Sequence, residues 1–495
     1  MNNEKAYENS DMEYMTAVVC DKTVYFDSST DYSFPDYQPD IRRLLHVEAR
    51  VLPFAKYMGA NSAEFNGQVE YRILYMGGDG GIYALPTSSE YSVNIPFDRV
   101  NDSITDVVAF PHIEVENASV RVVSANKISI KTKLCAHVRA YGKEACVEVI
   151  PPALDANKVM RRIGETKALV ECVANSDVFE VTSEIPMQSD SSRVVYADGE
   201  VFINDTALMD GGASFRGDVN IILMMCDEEG NTSRQERRIP VSGDIMCDIG
   251  EAEGLSSKGY ITDLSVSVEE DRIVCTADVT VEVTGMSNQK MTYLSDMYST
   301  EKMCDVEKEE KILPICLKCT DRNFSINERI AKKDINMVEN SKIAECFAKV
   351  NIDKCVFENS KYVLTGNARF SVISKKSGEY AADEVAFPVR FETDGVGEAS
   401  SMDVSCMALG AKAVEDGENI LLSCEAVVNM KCIGEEKICV VKNVSLGDDV
   451  MHVKGETVIC FPENMEDLWA IAKKYNVSED KIEYKDGESF VLINR

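Results

Sequence analysis

Cys316 and Cys319 form a CxxC pair, a spacing that can bring two thiols onto one metal ion or into one disulfide. A zinc site at this spacing needs a second such pair. None follows, and only four histidines exist: His46, His112, His137 and His452. The pair reads as chance spacing, and no metal is expected. Gly77-Gly78-Asp79-Gly80-Gly81 lies between two strand-like segments and reads as a hairpin turn rather than a phosphate cradle. No GxxxxGK[ST], HExxH or GxSxG stretch is present. Carboxylate pairs abound, but 84 acidic residues make pairs inevitable, so they carry no glycosidase signal. His46, His112 and His137 sit in strand-like contexts and read as structural; His452 follows Asp448-Asp449 and reads as exposed. These residues point away from catalysis: no enzyme and no cofactor are expected.

The chain that must position them has 495 residues, enough for about three domains. It carries 52 Lys and Arg against 84 Asp and Glu, a formal charge of −32. That balance, with no Lys/Arg-rich run, opposes binding to nucleic acid or to an anionic bilayer. Hydrophobic residues at 45% and charged residues at 27% are ordinary for a globular protein. The 17 cysteines are odd in number and scattered, several of them in apolar segments (Cys135, Cys275, Cys424, Cys439). They suit free thiols in a reducing compartment, without structural disulfides. Met1–Ser10 lacks the features of a signal peptide, and no apolar run reaches the roughly 18 residues of a membrane span, so cytoplasmic residence is expected.

The chain repeats itself. Phe65-Asn66-Gly67 recurs as Phe215-Arg216-Gly217 and Leu364-Thr365-Gly366, the glycines 150 and 149 residues apart. Ile95-Pro96-Phe97, Ile239-Pro240-Val241 and Phe387-Pro388-Val389 form a second marker. Alternating strands from Ile128, Ile273 and Ile420 form a third, and Gly142, Gly285 and Gly434 a fourth. This period exceeds that of solenoids, so whole domains in tandem are expected. Within each copy the apolar period is two, as in Val279, Val281 and Val283, which signals half-buried antiparallel strands. The prolines belong on edge strands or strand ends. Antiparallel β-sandwiches satisfy these signs. Asn157–Ile163 reads as a short helix, Val178–Val181 as strand, and Glu307–Lys311 as a solvated charged face.

The last 40 or so residues have another rhythm. Thr457–Phe461 reads as a strand. Leu468, Ile471, Ala472 and Tyr475 fall at i, i+3, i+4 and i+7, one face of a helix, with Asn464 as its cap and Asp467 three residues on. A second short helix is expected over Val477–Ile482, capped by Ser478, and a closing strand over Ser489–Ile493. Trp469, the only tryptophan, is about 100° around the helix from Leu468, a flank position suited to part packing and part contact.

The C-terminal segment resembles a LysM domain through Leu468-Trp469-x-Ile471-Ala472-Lys473-Lys474-Tyr475-Asn476-Val477, followed by Ile482. Such modules usually carry Gly-Asp-Thr before the Leu-Trp pair; here Met465-Glu466-Asp467 stands there, which disfavours glycan binding and favours a protein-binding surface. Pro39-Asp40-Ile41-x-x-Leu44-Leu45-x-Val47-x-Ala49-x-Val51, then Gly67 and Ile95-Pro96-Phe97, resembles the SPOCS domain of sporulation proteins. Tyr293-Leu294-Ser295-Asp296-Met297-Tyr298-Ser299 resembles a linker between such domains. Over roughly residues 20–493 the layout is that of SipL-type spore coat assembly proteins. The resemblance implies a mainly β chain: an N-terminal extension (1–35), SPOCS repeats at 36–150, 178–290 and 322–445, connectors at 151–177 and 291–321, and a βααβ LysM domain at 452–495. It implies a non-enzymatic adaptor of coat morphogenesis in the mother cell, at the forespore surface. The expected partner is the coat morphogenetic ATPase, bound through Ile459, Pro462, Leu468, Trp469, Ile471, Lys473, Lys474 and Tyr475. Other coat proteins are further candidates; peptidoglycan and nucleic acid are not expected. The alternative is a peptidoglycan-binding LysM protein of the wall or spore cortex.

Overall fold

In a computed structural model, the structure describes residues 14–35, 38–98, 104–145, 158–187, 193–246, 254–269, 272–335, 337, 341–451, 455–461, 467–484 and 491–494. The protein is mainly β, built from antiparallel sheets. Three units share one plan. In the first, β1 (Tyr14–Ser33), β2 (Ile41–Val51), β3 (Ala55–Met58), β4 (Ser62–Gly77), β5 (Ile82–Pro96), β6 (Ile104–Ser124) and β7 (Lys127–Ala145) form two sheets. One has the order β1-β7-β6; in the other β4 is the hub, pairing β2, β3 and β5. The second unit comprises β8 (Val159–Pro186), β9 (Arg193–Met209), β10 (Gly212–Cys226), β11 (Thr232–Met246), β12 (Gly254–Val268) and β13 (Arg272–Ser299). Its sheets are β12-β13-β8 and β11-β10-β9. The third comprises β14 (Lys302–Ala331), β15 (Lys342–Glu358), β16 (Lys361–Lys376), β17 (Glu379–Asp394), β18 (Ser401–Asp416) and β19 (Asn419–Asp449), as β14-β19-β18 and β15-β16-β17. Alternate residues of both sheets of a unit meet in one core. In the first unit Ile113, Ile130 and Val138 pack with Phe65, Tyr71 and Ile95. Valines 279, 281 and 283 face the second core, and Leu364, Phe370 and Leu422 the third.

The segments expected to be an extension and connectors are strands. Tyr14–Ser33, Val159–Asp177 and Lys302–Asp321 pair with β7, β13 and β19 respectively. Val159–Ile163 is likewise extended rather than helical, because its partners Leu294–Ser299 hold it in a ladder. A helical-looking local pattern is overridden by pairing with a strand more than 100 residues away.

The marker glycines occupy one topological place, the middle of the hub strand. Gly217 lies opposite Ile203 and Gly366 opposite Ile352, each beside a bulge in the neighbouring strand. A Cβ on Gly366 would overlap the Asn351 carbonyl oxygen, and one on Gly217 the Phe202 carbonyl. At Gly67 the neighbouring strand breaks between β2 and β3, and a Cβ would sit 2.7 Å from Phe54 Cβ. Gly366→Ala is therefore expected to cost at least ~1–3 kcal/mol. Denaturation of the variant tests this, and a chain as stable as the parent would refute the close approach. The proline marker behaves differently. Pro240 and Pro388 lie opposite Asp218 and Asn367, next to the glycines, whereas Pro96 lies opposite Ser62 and Glu90 holds the corresponding place opposite Gln68. Ile95-Pro96-Phe97 is thus not equivalent to the other two. All three prolines sit on strands paired on one side only, where a missing N–H is tolerated at many positions.

The hub sheets of all three units converge on a second apolar cluster. Leu45, Val195 and Ala344 meet Leu74, Met224 and Ile373, each set spaced like the glycines. Each unit touches the other two. Arg193 donates to the Ile82 carbonyl (3.0 Å), Arg43 to the Tyr380 carbonyl (3.3 Å) and Lys375 to the Gly230 carbonyl. His46 stacks on Phe347 at 3.9 Å, and burial, opposed by the nearby Asp198 charge, pushes its ring down to about 4. Where the second and third units meet, both oxygens of Glu200 accept the Gly410 N–H at 3.0 Å. Burial pushes this carboxyl up to about 7, from an ordinary 4.5. The folded state therefore keeps a proton that the unfolded chain releases near 4.5. The contribution is full below that pH and is lost as pH rises through about 7. Relative to the Glu200→Gln chain, the parent's urea midpoint is expected to fall between pH 5 and pH 8. An equal change in parent and variant would sink this assignment.

Candidate functional site

The residues that could carry chemistry sit in separate parts of the three units. Cys316 and Cys319 are buried on β14, and burial pushes the Cys319 thiol up to about 12, so it stays protonated. The fourteen cysteines whose side chains are described are free thiols. Among the described residues no three His, Cys, Asp or Glu side chains converge as metal ligands. His112 and His137 are cross-strand neighbours on β6 and β7. Gly77–Gly81 is a tight turn closed by Gly77 N–H to Gly81 O at 2.8 Å, with Gly80 at φ +84°. No helix among the described residues is long and apolar enough to cross a membrane.

The C-terminal module is built from β20 (Thr457–Cys460), α1 (Leu468–Tyr475), β21 (Ile482–Tyr484) and β22 (Val491–Asn494), with sheet order β20-β22-β21. Asp467, not Asn464, caps the helix, its Oδ1 accepting the Ala470 N–H at 2.8 Å. Asn464 lies outside the described residues, as do Pro462 and His452. The expected second helix is one 3-10 turn, Glu479–Lys481, followed by a strand. Pairing of Ile482–Tyr484 with β22 makes the backbone extended from Ile482 on and so stops the turn at Lys481.

The apolar stripe packs as its spacing predicts. Ile471 and Ala472 are fully buried against Cys460, Val477, Ile482, Val491 and Ile493, with Leu468 and Tyr475 at the margin. This core does not end at the module: Tyr298 and Met160, from β13 and β8, complete it. Trp469 turns to the same place. Its indole N–H donates to Asp296 Oδ2 at 3.0 Å, and its ring meets Tyr298 edge-on at 5.0 Å and 70°. Lys473 Nζ donates to Asp296 Oδ1 at 2.6 Å, and Lys308 Nζ stands 3.4 Å from that oxygen. Tyr298 OH donates to the Val477 carbonyl at 2.7 Å, and Asn476 Nδ2 to the Ser299 carbonyl at 3.0 Å. Asn476 ends the helix in the left-handed conformation, φ 53°, which aims its amide there. Arg162 pairs with Asp467 at 2.7 Å across the same seam. Burial pushes the Asp296 carboxyl up, but hydrogen bonds from Lys473 and Trp469 outweigh it and hold the group below the usual carboxylate range.

The structure thus divides the eight residues expected to contact a partner. Leu468, Ile471 and Tyr475 build the module's core; Trp469 and Lys473 engage β13. Ile459 and Lys474 face solvent, the ammonium of Lys474 6.0 Å from the Tyr475 ring centre. Pro462 is outside the description. Sequence reasoning missed Asp296, Tyr298 and Ser299 as the other half of this site. Their one signal was the resemblance of Tyr293–Ser299 to an interdomain linker. Beside the seam runs an open groove of about 610 Å³, lined by Met160, Ile163, Leu468, Trp469, Ser478 and Asp480 among others.

No known family model matches the chain, and no curated protein matches its sequence significantly.

Proposed function

We propose that this protein is a non-enzymatic adaptor of spore coat assembly, with three SPOCS repeats and a C-terminal LysM domain that binds the coat morphogenetic ATPase. The observation that carries this reading is the engagement of Trp469 and Lys473 with Asp296 and Tyr298: the helix face of the module recognises protein in its own chain. The Asp467 carboxylate, placed where glycan-binding modules carry Gly-Asp-Thr, is committed to capping the helix and to Arg162. The chain's net charge of −32 suits basic or specifically complementary coat partners rather than nucleic acid. The mother-cell side of the forespore surface is its place of action.

The groove beside Leu468 and Ser478 keeps peptidoglycan binding as the second reading. One experiment separates them: capture of the full chain on peptidoglycan against capture by the coat ATPase. Retention by the ATPase that Trp469→Ala weakens supports the adaptor. Retention on peptidoglycan with none by the ATPase overturns it.

A further inference from the structure

The face of α1 that carries Trp469 and Lys473 is occupied by one short, continuous stretch of β13. Asp296 and Tyr298 are alternate residues on an extended strand, so both side chains leave the same side. The carboxylate takes the indole N–H on Oδ2 and the Lys473 ammonium on Oδ1, which also accepts the Met297 N–H at 2.9 Å and stands 3.4 Å from Lys308 Nζ. The tyrosine ring packs against the indole, and its hydroxyl reaches the Val477 carbonyl. The Ser299 main-chain carbonyl takes the Asn476 amide. Four residues in a row, 296–299, are thus read by two side chains and one backbone carbonyl. The module's groups that read them come from α1 and the two residues after it, and Lys308 of β14 adds a second ammonium beside the carboxylate. This is how extended peptides are recognised: backbone contacts for affinity, alternate side chains for specificity.

We infer that this face is a receptor for an extended segment bearing a carboxylate and, two residues on, a tyrosine. Residues 296–299 fill it in cis, and an external segment of the same pattern binds by displacing them. The inference rests on the reading of the module as the partner-binding part and names what it recognises. Asp296 and Tyr298 are held by β8, opposite Arg162 and Met160, so the module is the part that leaves. The cis contact exchanges like for like: Asp296 and Tyr298 are buried and Lys473 and Trp469 half-buried, so an external segment of the same pattern restores each contact that it displaces. Tethering nevertheless gives the cis segment an effective concentration on the order of millimolar, which shuts out weak ligands.

The test uses the full chain and the peptide Tyr-Leu-Ser-Asp-Met-Tyr-Ser, the sequence of residues 293–299, with emission from Trp469, the only indole, as readout. Measured on a tyrosine-to-alanine and asparagine-for-aspartate control peptide as well, the Asp296→Ala/Tyr298→Ala chain is expected to bind only the native peptide. Its affinity should be at least about tenfold above that of the parent chain, whose site is filled. An unresponsive emission at saturating peptide, or equal binding of the control, overturns the inference. If amide exchange at Ile471 and Ala472 shows the double variant's module unfolded, the Lys473→Glu chain decides. It should prefer a peptide with lysine in place of aspartate, and absence of that preference overturns the inference equally. The peptide contains no coat protein, so failure here leaves the adaptor reading standing. Capture of the peptide by a chain that never binds the ATPase overturns that reading alone.

Discussion

Replacing Asp198 by alanine is expected to destabilise the protein by about 3–5 kcal/mol, the cost of leaving buried charges without their counter-ion. Asp198 is 8% exposed at the contact between the first two units. Arg50 Nη2 donates to its Oδ1 at 2.7 Å, and Arg72 Nη1 donates to the same oxygen. Tyr196 OH donates to Oδ2 at 3.1 Å and the Gly199 N–H to Oδ1 at 2.7 Å. Burial raises this carboxyl, but the two guanidinium groups outweigh it and hold it below the ordinary aspartate range. Alanine would leave Arg72, also 8% exposed, with Glu70 at 3.4 Å as its nearest carboxylate. The measurement is chemical denaturation near neutral pH, with Asp31→Ala as comparison. Asp31 pairs with Lys127 at 2.9 Å, but both side chains are well exposed, and exposed pairs contribute little. Equal losses in the two variants would mean that the unit contact does not depend on the buried cluster. The loss measures the cost of breaking the cluster; a well-packed apolar replacement of all its members could be neutral.

Ile471→Ala is expected to cost roughly 2–5 kcal/mol through the cavity it leaves, and to unfold the C-terminal module without unfolding the rest. A segment of about 40 residues has little stability to spare, and Ile471 is 0% exposed within its apolar cluster. The three units have separate cores, so the far-UV spectrum should keep its β character. Trp469 should report the loss, since an unfolded module exposes the indole now packed on Tyr298. Trp469→Ala should act differently, with a smaller folding cost and a lost hydrogen bond to Asp296, because the side chain lies at the seam and not in the core. Amide exchange at Thr457–Cys460 and Val491–Asn494 separates the two cases. If those strands stay protected in Ile471→Ala, the module does not depend on this side chain.

Much of this protein is legible wherever the physical signal is local. Strand alternation in Val279–Val283, the turn at Gly77–Gly81 and the stripe Leu468, Ile471, Ala472 and Tyr475 each rest on a period shorter than the element that carries them. The glycines at 67, 217 and 366 are equally legible, because no other residue fits so close to a neighbouring strand. What the sequence could not disclose lies where distant residues meet. Tyr14–Ser33, Val159–Asp177 and Lys302–Asp321 read as extension and connectors because their strand character depends on partners more than 90 residues away. His46, Tyr196 and Glu345 share one place in the repeat, yet one stacks on Phe347, one hydrogen-bonds Asp198 and one pairs with Arg234. Trp469 announced itself by its flank position on a helix; Asp296, 173 residues earlier on a strand, did not. Period and composition are properties of neighbours along the chain. The pairing of a tryptophan with a carboxylate is decided only when two surfaces, each folded for its own reasons, come into contact.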